Sequence, residues 1–572
     1  DHRDLHSFPT RRSSDLETNL KTPLDNFYHW EANTPDAIYL RQPYGKEWVN
    51  ISYRDAGIIA RKMVAAMRQT GLKTGDKVGI LSKNCYHWIL ADISIMMGGF
   101  VSVPMYATLE GDALLQVIRN SGMKLIFVGK LEKWSEETHP VPAEIQIIKT
   151  PHYKGNAIIT RGMEWDELIA QHDPVSDPAV PELDDLWTIM YSSGTTGTPK
   201  GVMHTYRNPA LVIRIEQLTD YVGIYRVKHQ KYFSFLPLNH VGERIGTEIN
   251  CLATGGTMSF GESIQSFMLN LQETQPSTFF AVPRIWTKFY EGVSNILPVK
   301  TLYLLIHVPF LGAFLRNKIR KGLGLLQVKT AATGAAMTPA YLKRFYKKLG
   351  IHLVEAYGMT EVCGGISYGV DPATPYDSVG KPFPDCEVKI DPETGEILLK
   401  APFVMQGYYN EPELTAKVLR DGWMYSGDRG EFDQKGFLKV TGRINDAFKT
   451  NKGEYIVPNK MEADLEKNEY VAFVCVCGLT SPQPLALVSL SETAKDKKPK
   501  DIEHALMNTL AKVNQHLPRH EKISTIVITK DPWTEQSGLV TPTMKVKRAA
   551  VDEMFKHLYF KWHINPQTII WH

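Results

Sequence analysis

A loop rich in glycine and hydroxyl groups directly follows an apolar run, and this pairing constrains the fold more than any other feature. The apolar run, 186–191, predicts a buried strand. Residues 191–202 then contain three glycines, five Ser/Thr hydroxyls and Lys200 within twelve positions. Glycines let backbone N–H groups gather around an anion and the lysine adds a positive charge, so the loop predicts a phosphate site. The spacing is not that of the Walker pattern. A flexible linker is the alternative, but a linker would not follow a strand and contain Pro-Lys-Gly.

The length and charge of the chain exclude several classes of protein. At 572 residues the chain is too long for a single core, so two or more domains are expected. The formal net charge of +3 is too small to predict a nucleic-acid-binding protein. No apolar run reaches about 18 residues, which predicts that no helix spans a membrane. The six cysteines in so long a chain fit a reducing compartment, so we expect a cytoplasmic protein. Cys475 and Cys477 alternate within an apolar run and predict a buried strand rather than half a metal site.

The first residues differ from the rest of the chain. Residues 8–16 resemble a sequencing-library adapter translated in frame, with no hydrophobic period and no signal-peptide core. We therefore expect residues 1–16 to be non-native and the natural start to be missing.

From about residue 22, helical and strand patterns alternate along the chain. Apolar residues at helical spacing predict helices over 53–71 and 88–98, and short apolar runs predict strands over 77–82 and 124–129. This alternation predicts parallel sheets covered by helices.

One segment, 301–323, has an unusual composition. An apolar run is followed at once by four cations: Arg316, Lys318, Arg320 and Lys321. The run is too short to span a bilayer. Two interpretations stay open: residues 302–321 lie on a membrane surface, on its inner face, or they form a core helix whose basic end faces the helix dipole.

Several motifs together resemble the adenylate-forming superfamily, which includes acyl-CoA synthetases, luciferases and peptide-synthetase adenylation domains. The motifs occur in order: the loop at 191–202, Leu-Pro-Leu-x-His ending at 240, Thr-Gly-Ala at 333–335, Tyr-Gly-x-Thr-Glu at 357–361, Gly-Asp at 427–428, Gly-Arg at 442–443 and a final motif at 541–548. The resemblance covers residues 22–572 and is strongest to long-chain fatty acid–CoA ligases. It implies an α/β fold, with a large multi-sheet N-terminal domain of the acyl-CoA synthetase type and a small mobile α+β C-terminal domain.

The resemblance also implies domain boundaries. The ATP- and acyl-binding domain would span 17–441, a hinge 442–446 and a C-terminal lid domain 447–572. Relatives usually carry Asp or Lys at the fourth hinge position, where this chain has Asn445. Asparagine tolerates unusual backbone angles, so a hinge is still predicted there.

The resemblance assigns residues to the nucleotide site. Tyr357 would stack near adenine, and Asp428 would accept hydrogen bonds from both ribose hydroxyls. Lys449 would face a coenzyme A channel. The implied cofactor-binding residues are Ser192, Ser193, Gly194, Thr195, Thr196, Gly197, Lys200, Gly334, Ala335, Glu355, Ala356, Tyr357, Thr360, Asp428, Arg443 and Lys449.

The implied catalytic residues are Lys545, His240, Thr360 and Lys200, with Mg²⁺ held by Glu361 and Ser192. Lys545 would bridge the substrate carboxylate and the α-phosphate, and His240 would gate the acyl pocket. A carboxylate beside a triphosphate would be repelled unless a cation lay between them, which favours Mg²⁺ at Glu361. Amino-acid-activating relatives have an aspartate near His240; this stretch has none, which favours an uncharged acyl tail.

The predicted function is ATP-dependent activation of a long-chain fatty acid to an acyl-adenylate, then transfer to coenzyme A. The products would be acyl-CoA, AMP and pyrophosphate, and the partners small-molecule substrates rather than nucleic acid. Two alternatives stay open. One is a fatty acyl-AMP ligase or another adenylation enzyme that loads a carrier protein. The other is a nucleotide-binding protein without turnover, which the joint presence of Lys200, Glu361, Asp428 and Lys545 disfavours.

Overall fold

The computed structural model describes residues 14–193, 199–446, 448–452, 454–479, 481–515, 517–541 and 544–572. Residues 1–13 of the predicted non-native segment lie outside the described residues. Ser14–Glu17 forms a short helix, and the Leu16 side chain is buried in the largest core cluster. The non-native origin of residues 1–16 stays a prediction.

An eight-stranded sheet carries the predicted phosphate loop. Leu186–Ser193 runs parallel to Val101–Met105, and Pro199–Thr205 returns antiparallel to it, so the loop is the turn of a hairpin. The parallel strands are apolar on both faces because both faces are covered. In spatial order the strands are Gly407–Tyr408, Pro199–Thr205, Leu186–Ser193, Val101–Met105, Lys77–Leu81, Leu125–Val128, Gln146–Lys149 and Met163–Glu164.

Three smaller sheets complete the large domain. Thr278–Ala281, Thr330–Gly334 and Leu353–Met359 run parallel, so their carboxyl ends meet at one edge and bring the turn after Gly334 beside the Tyr-Gly-x-Thr-Glu motif. In spatial order this sheet ends with Gly364–Tyr368 and Lys381–Pro382. A four-stranded sheet contains Lys231–Ser234, Thr257–Phe260, Ile38–Tyr44 and Glu47–Ser52. The last contains Glu387–Ile390, Glu396–Lys400, Trp423–Phe432, Leu419–Arg420 and Leu438–Arg443.

The predicted helices and strands of the first half are confirmed. Tyr53–Gln69 begins after Ser52, whose hydroxyl accepts a hydrogen bond from the Asp55 N–H and so caps the helix. The helices of the large domain are Pro23–Asn33, Tyr53–Gln69, Tyr86–Met97, Gly111–Ser121, Trp165–Gln171, Arg207–Thr219, Val241–Glu243, Arg244–Ile249 (a π-helix), Asn250–Thr254, Phe267–Thr274, Pro283–Ile296, Val299–Leu305, Leu311–Gly322, Ala340–Lys348, Thr360–Val362 (a 3₁₀ turn) and Pro412–Val418.

The small domain has its own sheet and its own apolar clusters. A 3₁₀ turn, Ile444–Asp446, leads into it and is followed by the paired strands Phe448–Lys449 and Tyr455–Ile456. Its sheet orders Val471–Cys477, Leu485–Leu490, Ile526–Ile528 and Ile569–Trp571. Cys475 and Cys477 are buried in the first of these strands, as predicted. The other elements are Asn459–Leu465, Glu492–Ala494, Pro499–Gln515, Arg548–Phe555, Lys556–Leu558 and Tyr559–His563.

The unusual segment at 301–323 forms a helical hairpin. Val299–Leu305 and Leu311–Gly322 are its two arms, and the second arm buries only Gly312. The prediction of a core helix is therefore wrong for this arm, because most of its side chains reach solvent. Across the described ranges, we find no helix whose length and apolar content would let it cross a bilayer.

Candidate active site

The phosphate-loop hairpin places Ser192 opposite Lys200. Gly194, Thr195, Thr196 and Gly197 lie outside the described residues, and of Ser193 only the backbone is described. The Lys200 ammonium lies 5.6 Å from the centre of the Tyr408 ring. Tyr408 is brought there because its strand pairs with Pro199–Thr205 at the edge of the sheet.

Tyr408 also fixes the predicted metal ligand. Its hydroxyl donates a hydrogen bond of 2.7 Å to Oε1 of Glu361, and the backbone carbonyl of Glu361 accepts from the Met405 N–H at 2.8 Å. Burial, and then the charge of Glu361, raise the pKa of Tyr408, so its hydroxyl stays a donor. Lys200 and Glu361 thus both lie beside one aromatic residue, Tyr408, for which no role was predicted.

Thr360 starts the 3₁₀ turn that presents Glu361. Its carbonyl accepts a 2.7 Å hydrogen bond from Nε2 of His204, a buried residue in the second strand of the hairpin. Burial lowers the pKa of His204 to about 4, so this histidine is neutral near pH 7. A neutral ring in a fixed tautomer holds the turn without adding charge to the site.

A second cluster surrounds Asp428. The Tyr357 hydroxyl donates to Asp428 Oδ2 at 2.9 Å, and Arg443 Nε lies 3.2 Å from Oδ1. Asp428 and Arg443 are cross-strand partners in an antiparallel pair, which sets this geometry. Burial raises the pKa of Asp428, and the charge of Arg443 opposes that shift.

Lys545 of the small domain reaches the same cluster. Its backbone is held by Thr541, whose hydroxyl accepts from the Lys545 N–H at 3.0 Å. Burial, followed by the charge of Arg443, lowers the pKa of Lys545 to about 8, while Asp428 acts in the opposite direction. The charge of Lys545 is also felt by His240: burial and then Lys545 lower the pKa of that imidazole to about 4. Residues from both domains therefore converge on one site.

His240 begins the short helix Val241–Glu243, and its Nδ1 accepts from the Gly242 N–H at 3.1 Å. The neutral ring therefore carries its proton on Nε2. Glu243, at the end of the same short helix, is fully buried, and its carboxyl accepts a hydrogen bond from the Phe235 N–H at 3.1 Å. Burial raises the pKa of Glu243 to about 8, so this carboxyl is mostly uncharged at pH 7.

Glycines border the space beside His240. A Cβ on Gly242, Gly334 or Gly246 would lie 3.1, 3.6 or 4.0 Å from the ring of Phe280. These glycines leave room for a flat or narrow apolar group against that ring.

The predicted adenine segment is held from behind. A Cβ on Gly334 would lie 2.8 Å from the Ala356 carbonyl oxygen, and Ala335 adopts a φ of 67°. Glu355 is buried, accepts from the Thr338 N–H at 2.8 Å and pairs with Lys343. The carboxylate of Glu355 therefore holds the turn that follows Ala335.

Lys449 stands apart from the other predicted residues. It is exposed at a two-stranded hairpin of the small domain, opposite Tyr455, and none of the described contacts joins it to Asp428 or Lys545.

Two arginines that the sequence analysis did not assign hold the site's framework. Arg548 follows Lys545 by three positions; its guanidinium donates to Glu462 at 2.6 Å and lies 3.9 Å from Asp446, at the predicted hinge. The register of Arg548 in the last motif was noted, but its partners are far away in sequence. Asp446 and Glu462 tie the Lys545 loop to the domain boundary.

The second arginine, Arg244, is fully buried behind His240. It pairs with Asp92 at 2.5 Å and Glu248 at 3.2 Å, and donates to the Thr188 hydroxyl at 2.9 Å. Thr188 belongs to the strand that leads into the phosphate loop. Arg244 thus joins the His240 segment to that strand; adjacent charges at 243–244 in an apolar helix were the available signal.

Sequence comparison matches both parts of the chain to known profiles. One described as AMP-binding enzyme matches residues 27–409, and one described as AMP-binding enzyme C-terminal domain matches residues 445–558.

Curated relatives match over most of their length. Human long-chain-fatty-acid–CoA ligase 1 is 28% identical, over 90% of this chain and 82% of that protein. The long-chain-fatty-acid–CoA ligase FadD15 of Mycobacterium bovis is 26% identical, over 92% and 94%. A probable CoA ligase, CCL6 of Humulus lupulus, is 27% identical, over 91% and 87%.

Solved structures share the fold. The anthranilate CoA ligase AuaEII in complex with anthranoyl-AMP superposes with a TM-score of 0.74 at 17% identity, covering 95% of this chain and 99% of that one. The A domain of carboxylic acid reductase from Segniliparus rugosus, in complex with AMP and a co-purified carboxylic acid, gives 0.75 at 20% identity, covering 95% and 94%. The predicted fold class, a large α/β domain with several sheets and a smaller C-terminal domain, is confirmed.

Proposed function

The chain belongs to the AMP-binding enzyme family, and from this we propose that it activates a long-chain fatty acid with ATP and transfers the acyl group to coenzyme A. The observation that carries the proposal is the convergence of Lys545 with Asp428, Arg443 and His240. A nucleotide-binding protein without turnover would have no need to bring a lysine of the second domain to this point.

In the first half-reaction, a carboxylate oxygen of the acid attacks the α-phosphorus of ATP and pyrophosphate leaves. Lys545 neutralises charge between the carboxylate and the α-phosphate, and Thr360 donates to that phosphate. Lys200 and the loop residues Ser192, Ser193, Gly194, Thr195, Thr196 and Gly197 hold the departing pyrophosphate. Catalysis of this kind is mainly positioning and charge neutralisation.

Nucleoside binding uses the second cluster. Gly334, Ala335 and Ala356 form a flat backbone surface for adenine, Tyr357 stacks near it and Glu355 holds the turn. Asp428 accepts from the ribose hydroxyls, and the charge of Arg443 favours its carboxylate form against the effect of burial. Tyr357 and Arg443 already orient Asp428, which supports this assignment.

The donor set fits Mg²⁺. Among the described residues there is no group of three or more His, Cys, Asp or Glu side chains that could hold a metal by themselves. Mg²⁺ in nucleotide sites commonly needs only one or two carboxylates because substrate phosphates supply further ligands. Glu361, oriented by Tyr408, and the Ser192 hydroxyl would hold it, and it would neutralise phosphate charge.

In the second half-reaction, the sulfur of coenzyme A attacks the acyl carbonyl carbon and AMP leaves. We assign this step to a second orientation of the small domain, reached by rotation at 442–446, with Lys449 facing the coenzyme A channel. The present arrangement, with Lys545 at the site and Lys449 exposed elsewhere, suits the first step.

Substrate class is argued from the His240 region and the relatives. Burial keeps the Glu243 carboxyl mostly uncharged at pH 7, and glycines border the ring of Phe280, which disfavours an acid that carries an ammonium group on its tail. Curated relatives named as long-chain-fatty-acid–CoA ligases support the same class.

Pyrophosphate release across a panel of carboxylic acids, with and without coenzyme A, tests the proposal. We expect C12–C18 acids to give the highest kcat/KM and turnover to require coenzyme A. A higher kcat/KM for acetate, coumarate or an amino acid would contradict the substrate class. Acyl-adenylate accumulation that coenzyme A does not relieve would favour an acyl-AMP ligase loading a carrier protein, and no pyrophosphate with any acid would favour binding without turnover.

A further inference from the structure

The helical hairpin of the large domain has an apolar tip. Residues 307–311 are exposed in succession, and Phe310 is 93% exposed at a φ of 60°. Leu304 and Phe314, 74% and 61% exposed, flank it on the two arms. We call residues 307–311 with Phe314 the tip. So large an exposed apolar group in one place marks an interaction surface.

One face of the second arm joins the tip to positive charge. Leu311, Phe314, Lys318 and Lys321 are all exposed and follow each other at steps of three and four residues, which places them along one side of the helix. The apolar pair lies at the tip and the two lysines lie toward the other end. Lys348 adds a further ammonium, 3.4 Å from Nε2 of His307.

The stretch of sequence that contains the hairpin carries charge of one sign only. From residue 292 to residue 354 the sequence contains no Asp or Glu. The same stretch contains ten cations: Lys300, Arg316, Lys318, Arg320, Lys321, Lys329, Lys343, Arg344, Lys347 and Lys348. Since the whole chain carries a net charge of only +3, positive charge is concentrated here.

Two of the four cations noticed in the sequence hold the second arm in place: Arg316 joins it to the first arm, and Arg320 joins it to the segment 325–328 that follows. Arg316 donates to the Ile306 carbonyl at 3.2 Å, and Arg320 donates to the Leu326 carbonyl at 3.0 Å. A Cβ on Gly312 would lie 2.1 Å from the Ile306 carbonyl oxygen, so the two arms are in direct backbone contact. The hairpin therefore presents its tip in a fixed shape, and Lys318 and Lys321 remain for an external partner.

We propose that the tip and the lysines around it dock this protein on the surface of an anionic lipid bilayer. The apolar side chains would enter the boundary between headgroups and acyl chains, while the lysines contact anionic headgroups. A nucleic acid would satisfy the lysines but leave Phe310 and Leu311 in water. The bilayer is the partner that matches both parts of the surface.

Vesicle co-sedimentation without ATP or acid tests this independently of the proposed activity. We expect binding to phosphatidylcholine vesicles that contain phosphatidylglycerol, and much weaker binding to phosphatidylcholine alone. Lys318→Gln with Lys321→Gln should weaken partitioning by about 25-fold, at about fivefold for each lysine. Phe310→Ser with Leu311→Ser should weaken it by about tenfold or more, since two exposed apolar side chains no longer enter the bilayer.

Matched controls change equally exposed groups elsewhere. Ile158→Ser with Ile264→Ser removes side chains that are 69% and 84% exposed, and Lys497→Gln with Lys498→Gln removes two exposed charges of the small domain. Both controls should sediment like the parent. Phe310→Trp gives a second readout, because its emission should be quenched by lipids brominated along the acyl chain.

Several results would overturn the proposal. These are no sedimentation at low ionic strength, equal sedimentation of tip variants and parent, or no quenching of Phe310→Trp. Loss of binding in the lysine variant with full binding in the serine variant would point to a polyanion site instead. Tip variants that melt at the parent temperature exclude unfolding as the cause of lost binding.

Discussion

The two domains contribute to the candidate site with different kinds of support. On the large domain, three side chains orient the site by donating hydrogen bonds. Tyr357 donates to Asp428, Tyr408 donates to Glu361, and His204 donates to the Thr360 carbonyl. On the small domain, the Lys545 backbone is anchored, but no described residue forms a hydrogen bond with its ammonium. The large-domain residues of the site are thus oriented by the protein itself. The Lys545 ammonium of the small domain would gain a partner only when a negatively charged substrate binds.

The electrostatics of Lys545 are consistent with the rotation of the small domain that we propose between the two half-reactions. Burial and Arg443 both disfavour its charged form, and only Asp428 favours it among the neighbours that shift its pKa. Without bound phosphates, the site stabilises the charged form of Lys545 only weakly. With ATP in place, the same ammonium would neutralise new negative charge. The contrast suggests that substrate, more than protein contacts, stabilises the closed arrangement.

Lys545→Ala should have the largest effect, because it removes the charge that the large domain does not replace. We expect acyl-adenylate formation to fall by about 10²- to 10³-fold, the loss typical of one preorganised donor at a transition state. Supplied with ready-made acyl-adenylate, the variant should still form acyl-CoA at close to the parent rate.

Lys547→Ala is the matched control, since it removes a neighbouring charge from the same loop and should leave both steps nearly unchanged.

Asn445→Pro should do the reverse of Lys545→Ala, because fixing φ would slow rotation and the thioester step while sparing adenylation. Equal loss of both half-reactions in Lys545→Ala would contradict the proposal that Lys545 serves adenylation alone.

Glu361→Gln should have the next largest effect, on the large-domain side of the site, whose residues the protein itself orients. The amide cannot offset the charge of Mg²⁺, so we expect a 10- to 100-fold rise in the Mg²⁺ concentration needed for half-maximal adenylation, by analogy with the cost of disturbing metal ligands. Tyr408→Phe keeps the carboxylate but frees it, and should cause a smaller shift in the same direction. An unchanged Mg²⁺ titration for Glu361→Gln would remove this residue from the site.

How far the sequence could predict this site depends on the range of each contact. The apolar strand that leads into the phosphate loop and the strand with Cys475 and Cys477 follow from local patterns, and both are confirmed. The convergence of Asp428 and Lys545 had no local signal; it was expected only from the resemblance. The orientation of Glu355 toward Lys343 was missed, because a buried ion pair between separate elements leaves no spacing in the sequence.

In the helical hairpin at 299–322, the sequence predicted the composition of the segment but not which of its cations are held by the protein. Its composition predicted a basic, apolar segment, and that is what the structure contains. Composition did not separate Arg316 and Arg320, which bind backbone carbonyls, from Lys318 and Lys321, which are exposed. The difference arises from the packing of the helix: Arg316 faces the end of the first arm, and Arg320 faces the segment 325–328 that follows the second arm.

The pH dependence of kcat/KM for ATP should reveal the lowered pKa of Lys545. Its pKa in the closed, ATP-free protein is about 8 against an ordinary value of 10.5, so the reactive charged form is lost as pH rises above about 8. Because kcat/KM reports the free enzyme, it should fall about tenfold per pH unit there for the fraction of ATP-free protein that is closed. The kcat should hold its plateau to higher pH, since bound phosphates raise the lysine pKa.

Closure itself should respond to pH with the opposite sign. Below about pH 8 the lysine is charged in both arrangements, and its desolvation opposes closure in full. Between about pH 8 and 10.5 closure releases a proton, so rising pH favours the closed arrangement. Fluorescence transfer between dyes on the two domains would measure closure. Closure that is independent of pH, or a kcat/KM plateau that reaches pH 10 in protein that is closed without ATP, would contradict the lowered pKa of Lys545.

Tyr357→Phe should have the smallest effect, and it tests whether the large-domain side is truly independent of the small domain. The variant removes one hydroxyl donor from Asp428 while Arg443 stays 3.2 Å from the other oxygen. A hydrogen bond to a charged acceptor is worth a few kcal/mol at most, and a second donor remains, so we expect KM for ATP to rise about three- to tenfold.

The kcat of Tyr357→Phe should change little, because the aromatic ring that would stack near adenine is kept. The rise in KM should also be the same in the parent background and in Lys545→Ala, since the Tyr357–Asp428 bond forms within one domain. Effects of two sites that share no partner usually add. Asp428, however, also lowers the cost of charging Lys545. A Tyr357→Phe effect that disappears when Lys545 is absent would therefore show that the hydroxyl acts through Asp428 on the lysine, and that the two sides of the site are one coupled unit.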